Sequence, residues 1–209
     1  MIELYAWSTS NARKVAIALE EMSMPYVVRL IDISAGEQFA PGFTNRFPNA
    51  KIPAIVDRDN GLSLFESGAI LIYLADKSGR FLAGDGAARW YAIQWLMWQM
   101  GGFGPILGQA AHFLHYKPDT SAYAATRFGN ETARLYSVLD GVLARNQFVA
   151  GDYSIADMAI WPWATRFEHQ KIDLTTYSNV LRWYREVATR PAVLRGYRVV
   201  DANAVPALP

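Results

Sequence analysis

The chain contains no cysteine, which excludes a disulfide, a thiolate metal site and a cysteine nucleophile together. Any thiol chemistry must therefore borrow its sulfur from a bound small molecule. Charge of one sign is also lacking: 20 Lys and Arg stand against 19 Asp and Glu, a net charge of +1, so nothing electrostatic favours nucleic acid or an acidic membrane as partner. Small neutral or zwitterionic ligands fit better. Internal repeats, low-complexity tracts and charge runs are absent. The opening Met1-Ile2-Glu3-Leu4-Tyr5 enters a strand pattern with an acid at position 3, unlike a signal peptide, so a cytoplasmic location is expected. Residues 90–116 carry no Asp, Glu, Lys or Arg, yet Gln94, Gln99, Gln109, two histidines, Pro105 and four glycines interrupt them. That pattern reads as a long helix covered by neighbours, not as a membrane span.

What is present suggests two parts, since 209 residues suffice for one large or two small domains, either with a sizeable core. Residues 3–6 read as a strand, 11–22 as a helix with Val15, Ala16, Ala18 and Leu19 on one side, and 26–33 as a second strand. A weak helix or loop over 39–47 follows, then strands at 53–57 and 62–65 around the turn Asp59-Asn60-Gly61. The order β-α-β-(α)-β-β-α is a compact mixed-sheet unit ending near Gly79. After a glycine-rich linker only helices are expected, at about 88–116, 120–146, 154–168, 177–190 and 191–200. Ser154-Ile155-Ala156-Asp157 is a capping box, read as local helix stability.

The most informative stretch is Asn49 to Asp76. Pro53 before a β-branched run suits the first residue of an edge strand, where it need donate to no ladder and where a cis bond is possible. The backbone of Ile52 would then be open to an extended peptide. Glu66-Ser67 opens an apolar helical pattern, bringing amides, a hydroxyl and a carboxylate to one helix N-terminus that can take a carboxylate and an ammonium. A second helix N-terminus, at Trp7-Ser8-Thr9-Ser10-Asn11, offers hydroxyls and amides able to stabilise an anion, although Ser10 or Asn11 could simply cap the helix. Gly101-Gly102-Phe103-Gly104-Pro105 fails the dinucleotide fingerprint, and Gly104 and Gly108 read as close interhelical packing. His112 and His115 lie about one turn apart without a third ligand nearby, so no metal is expected.

These motifs resemble those of the glutathione transferase family over the whole chain. Ser8-Thr9-Ser10-Asn11, Gly36-Glu37-Gln38-Phe39, Lys51-Ile52-Pro53-Ala54, Leu64-Phe65-Glu66-Ser67 and above all the glycine cluster after Trp98 are similar to the nu class. The resemblance implies an α/β plus all-α fold: a thioredoxin-like glutathione-binding domain over residues 1–79, a linker over 80–86 and a helical bundle domain over 87–209. It implies that Thr9 and Asn11 face the glutathione sulfur as catalytic groups. Gln38, Lys51, Ile52, Pro53, Glu66 and Ser67 would hold the tripeptide, and Arg127 would reach the ligand of the partner in a homodimer. Trp98, Phe103, Gln109, His112 and Phe113 would line the cleft as a second-substrate wall. The implied activity is reduction of small disulfides, and of organic hydroperoxides, with glutathione as co-substrate and no metal. Conjugation to electrophiles and a non-catalytic regulatory role remain as alternatives.

Overall fold

A computed structural model describes residues 1–209, which divide into two compact units. The first comprises Met1–Gly84 with Arg190–Val205, and the second Asp85–Thr189 with Pro206–Pro209. No helix is long and apolar enough to cross a membrane.

The first unit is built on a four-stranded sheet in the order β2-β1-β3-β4. Strand β1 (Ile2–Ala6) pairs in parallel with β2 (Tyr26–Leu30), joined through helix α1 (Ser10–Glu21). A one-turn helix α2 (Pro41–Thr44) precedes β3 (Ala54–Asp57), which runs antiparallel to β1 with Leu4 opposite Ile55. Strand β4 (Ser63–Phe65) returns beside β3, and helix α3 (Ser67–Ser78) follows at once. The edge-strand expectation for Pro53 is therefore corrected. All four residues of β3 are buried and paired with β1, and Ala54, Ile55 and Val56 are also paired with β4, as an interior strand requires. Pro53 is tolerated because the ladder begins at Ala54, one residue later. The loop before it is seated by Phe43, Phe47, Ala54 and Val56, with Tyr5, Ile31 and Ile52 packed against them. Tyr5, half-buried, packs against this cluster: its ring lies 5.4 Å from that of Phe47. At the far end of β3, the Asp57 carboxylate accepts from Tyr73 and Lys77 of α3, which ties strand to helix.

The second unit is helical. Helix α4 (Gly86–Trp98) continues through a wide π turn (Gln99–Phe103) into α5 (Gly104–Ala111) and a second π turn (His112–Tyr116). The single helix expected over 88–116 is thus continuous but twice widened. Pro105 supplies no amide, and the amide of Gly104 reaches back five residues to the Gln99 carbonyl instead of four. Helices α6 (Ala122–Leu143), α7 (Ile155–Ala164) and α8 (Ser178–Ala188) complete the bundle. At the start of α7 the Ser154 hydroxyl accepts from the Ala156 amide, and Asp157 accepts from the Ser154 amide at 3.0 Å. The box does more than stabilise its own helix: Asp157, fully buried, also accepts from the Val149 amide at 3.0 Å and from the Trp183 indole on α8 at 2.9 Å.

The last helix, α9 (Pro191–Arg198), was expected with the helical bundle but belongs to the first unit. Its apolar face, Val193 and Tyr197, is buried against α1, and Gly196 lets the two backbones touch. A Cβ at Gly196 would lie 2.5 Å from the Ile17 Cα. Arg190 grips Glu21 through two hydrogen bonds, and Arg195 pairs with Glu20.

Asp157→Ala should destabilise the protein by about 3 kcal/mol or more, since it strands two buried amides and an indole N–H. Denaturant unfolding checks this. Asp157→Asn, which keeps one acceptor, should cost less.

Candidate functional site

Three segments of the first unit converge on one indentation of about 60 Å³ lined by Asn11, Asn49, Lys51, Ile52, Pro53, Phe65, Glu66 and Ser67. The first turn of α1 supplies one wall. Thr9 is extended, and its hydroxyl oxygen accepts from the Ala12 amide at 3.3 Å, so the cap of α1 is Thr9 and neither Ser10 nor Asn11. Capping occupies a lone pair of the oxygen but leaves the hydroxyl proton to be donated. Ser10 is buried, whereas Asn11 turns to the indentation. Just before the helix, the Ser8 hydroxyl accepts from Arg13, whose guanidinium lies 3.9 Å from the centre of the Tyr197 ring on α9.

The second wall is the loop ending in the Ile52–Pro53 bond, which is cis. Lys51 is exposed at its rim, Ile52 is half-buried and Pro53 is buried. The third is the start of α3. Glu66 holds φ at +69°, a left-handed value that a side-chain-bearing residue keeps only where its surroundings impose it. Its carbonyl accepts from the Ile70 amide to begin the helix, and its carboxylate accepts from Asn49 at 3.2 Å. Ser67 follows, with its hydroxyl 3.5 Å from the Lys14 ammonium. Gln38 is not among the lining residues; it sits on the short turn Glu37–Phe39 and donates to the Ile33 carbonyl. Asn49, Phe65 and Lys14 had no role in the sequence reading. The signal for Lys14 was available, since it is a charged residue inside the apolar run of α1.

The arrangement suits anions. The positive ends of α1 and α3 both open onto this corner, where amides, hydroxyls and the Lys51 ammonium can hold negative charge. Glu66 supplies the single carboxylate on which an ammonium could rest.

In the helical unit the expected wall residues part company. Phe103 is fully buried, its ring 5.4 Å from that of Tyr136, and serves the core. Trp98 leans on it at 5.0 Å, His112 and Phe113 stack edge to face at 4.8 Å, and Gln109 and His112 are exposed. The glycine cluster also divides. A Cβ at Gly104 would lie 2.5 Å from the Gln99 side-chain Nε2 and 3.3 Å from the Trp163 indole nitrogen, and one at Gly108 3.2 Å from the Trp163 ring, whereas Gly101 and Gly102 face open space. His115 stacks on His169 at 4.0 Å, not on His112, and Arg166 donates to His169 and to the Tyr116 hydroxyl. Burial and the charges of Arg166 and His115 lower the His169 pKa. No group of three or more His, Cys, Asp or Glu is placed to hold a metal. Arg127 is exposed on α6, in a groove of about 770 Å³ with Ile106, Tyr123, Glu131 and Arg134.

Residues 1–76 match the family model described as the N-terminal domain of glutathione S-transferase, and residues 104–191 match that of its C-terminal domain. The chain belongs to the glutathione transferase family. Among curated relatives, the disulfide-bond oxidoreductase YfcG of Escherichia coli is 48% identical over 198 residues, 92% of each chain. A solved glutathione transferase from Pseudomonas putida, with one glutathione disulfide bound per subunit, superposes with a TM-score of 0.90 at 40% identity, covering 95% of this chain and 91% of that one. A family member from Pseudomonas fluorescens, with two glutathione molecules bound, gives 0.88 at 41% identity, covering 94% and 92%.

For this transferase, Gly104→Ala should cost about 2 kcal/mol through the clash with Gln99 and Trp163. Gly101→Ala should be neutral or stabilise by up to about 1 kcal/mol. Paired thermal melts read the difference.

Proposed function

We propose that this transferase reduces small disulfides with glutathione. The carrying observation is the gathering of Asn11, Lys51, Ile52, Pro53, Glu66 and Ser67 around one indentation at two helix N-termini, in a chain with no cysteine. In this reading the extended tripeptide lays its cysteinyl backbone on Ile52, and its γ-glutamyl ammonium and carboxylate meet Glu66 and Ser67. Lys51 and Gln38 take the glycyl carboxylate. The sulfur rests at the first turn of α1, where the Thr9 hydroxyl and the Asn11 amide donate to the thiolate. A relative named as a disulfide-bond oxidoreductase, and neighbours crystallised with glutathione or its disulfide, support the choice.

The reaction balances without a protein thiol. The bound thiolate attacks one sulfur of the substrate disulfide, the old S–S bond breaks, and the departing thiolate takes up a proton. A second glutathione then attacks the mixed disulfide, giving a second thiol and glutathione disulfide. The protein lowers the first thiol's pKa and aligns the sulfurs. Organic hydroperoxides, reduced by the same thiolate, extend the substrate range. The proposal includes a cytoplasmic homodimer in which Arg127 of each subunit serves the partner's ligand. In the helical unit, Trp98, Gln109, His112 and Phe113 are assigned to the second substrate, and Phe103 supports Trp98.

The assay uses purified protein with glutathione and hydroxyethyl disulfide, coupled to glutathione reductase. Turnover is expected, exceeding that with chlorodinitrobenzene, and Asn11→Ala should lose about 100-fold in kcat/KM. Absence of turnover, or equal rates for wild type and Asn11→Ala, would remove the reading.

A further inference from the structure

Lys14 has no part in the chemistry just described, yet it is buried at the centre of the first unit with 1% of its surface exposed. It follows Asn11 by three positions on α1, so the two side chains share a helix face. Its ammonium lies 3.5 Å from the hydroxyl of Ser67, which is itself buried and lines the indentation beside Glu66. Holding a cation there is costly unless negative charge stands close by. Desolvation keeps the Lys14 pKa well below the usual lysine range, and the Glu66 carboxylate opposes that fall. Glu66 is also the acid assigned to the ligand's ammonium. Once that ammonium arrives, part of the charge that steadies Lys14 is neutralised, and an anion beside Ser67 would restore it.

We propose that Lys14 is a positioning residue that selects ligands bearing a free α-carboxylate, holding that carboxylate through the Ser67 hydroxyl. The inference rests on the glutathione reading above and adds a determinant of γ-glutamyl recognition to it. The ammonium donates to the serine oxygen, and the serine donates its own proton to the carboxylate. The two hydrogen bonds run in one direction and polarise each other. Lys14 touches no reacting atom; it acts through Ser67.

The test is calorimetric binding of S-methylglutathione, which has no ionisable thiol, and of its analogue with γ-aminobutyryl in place of γ-glutamyl. The analogue keeps the amine and lacks the α-carboxylate. Lys14→Met should weaken S-methylglutathione about tenfold, the worth of one charge-assisted hydrogen bond, and weaken the analogue less than about twofold. Lys14→Gln, which keeps a donor for Ser67 without the charge, should show the same selective loss, and it carries the comparison if the Met variant fails to fold. Equal weakening of both ligands in variants that melt at the wild-type temperature would make Lys14 purely structural and overturn the proposal. So would a wild-type protein that binds the two ligands equally well. A wild type that binds neither at millimolar concentration would instead remove the glutathione reading, and this inference with it.

Discussion

Two helix N-termini, those of α1 and α3, open onto the same small corner of the first unit, and the buried Lys14 ammonium links them at Ser67. Each helix end carries the equivalent of about half a positive charge. Their convergence gives a nearly neutral chain a local preference for anions that its surface composition does not reveal. Two anionic groups have room in one site because each helix end can hold its own.

The rest of the first unit keeps that corner in place. Strand β3 is paired on both sides, so the Ile52–Pro53 loop leaves the sheet at a fixed point. Phe43, Phe47 and Tyr5 pack beneath the loop, and Asp57 binds the far end of β3 to Tyr73 and Lys77 of α3. On the other side α9 clamps α1 through the Gly196 contact and the Arg190–Glu21 pair. From α9, Tyr197 also supports Arg13, which donates to Ser8 in the turn before α1. The first turn of α1 is thus braced from the sheet and from the last helix.

Much of this was legible in the chain itself because its determinants are local. Pro53 before a β-branched run, Glu66-Ser67 at a helix start and Asn60-Gly61 at a turn each act over a few residues, and the elements fall where those residues put them. Strand order is a tertiary property: four buried residues in β3 are compatible with an edge or an interior position until β1 and β4 are seen beside them. The same holds for α9, whose glycine reveals its partner only through the Ile17 backbone, and for His115, whose ring meets His169 more than fifty positions later. The first turn of α1 offered Ser10 and Asn11 as caps on equal chemical terms. The extended backbone of Thr9 settles the matter and leaves Asn11 turned to the indentation.

A protein without a thiol can promote thiol chemistry by lowering the pKa of one it binds. Titrating the ultraviolet thiolate absorbance of bound glutathione against pH, beside free glutathione and the Asn11→Ala complex, reads that change directly. The expected result is a bound thiol that ionises below about pH 7.5, compared with about 8.5 for an unperturbed thiol, with Asn11→Ala returning most of the way. A bound thiol that titrates together with the free one would contradict the assignment of this corner to sulfur.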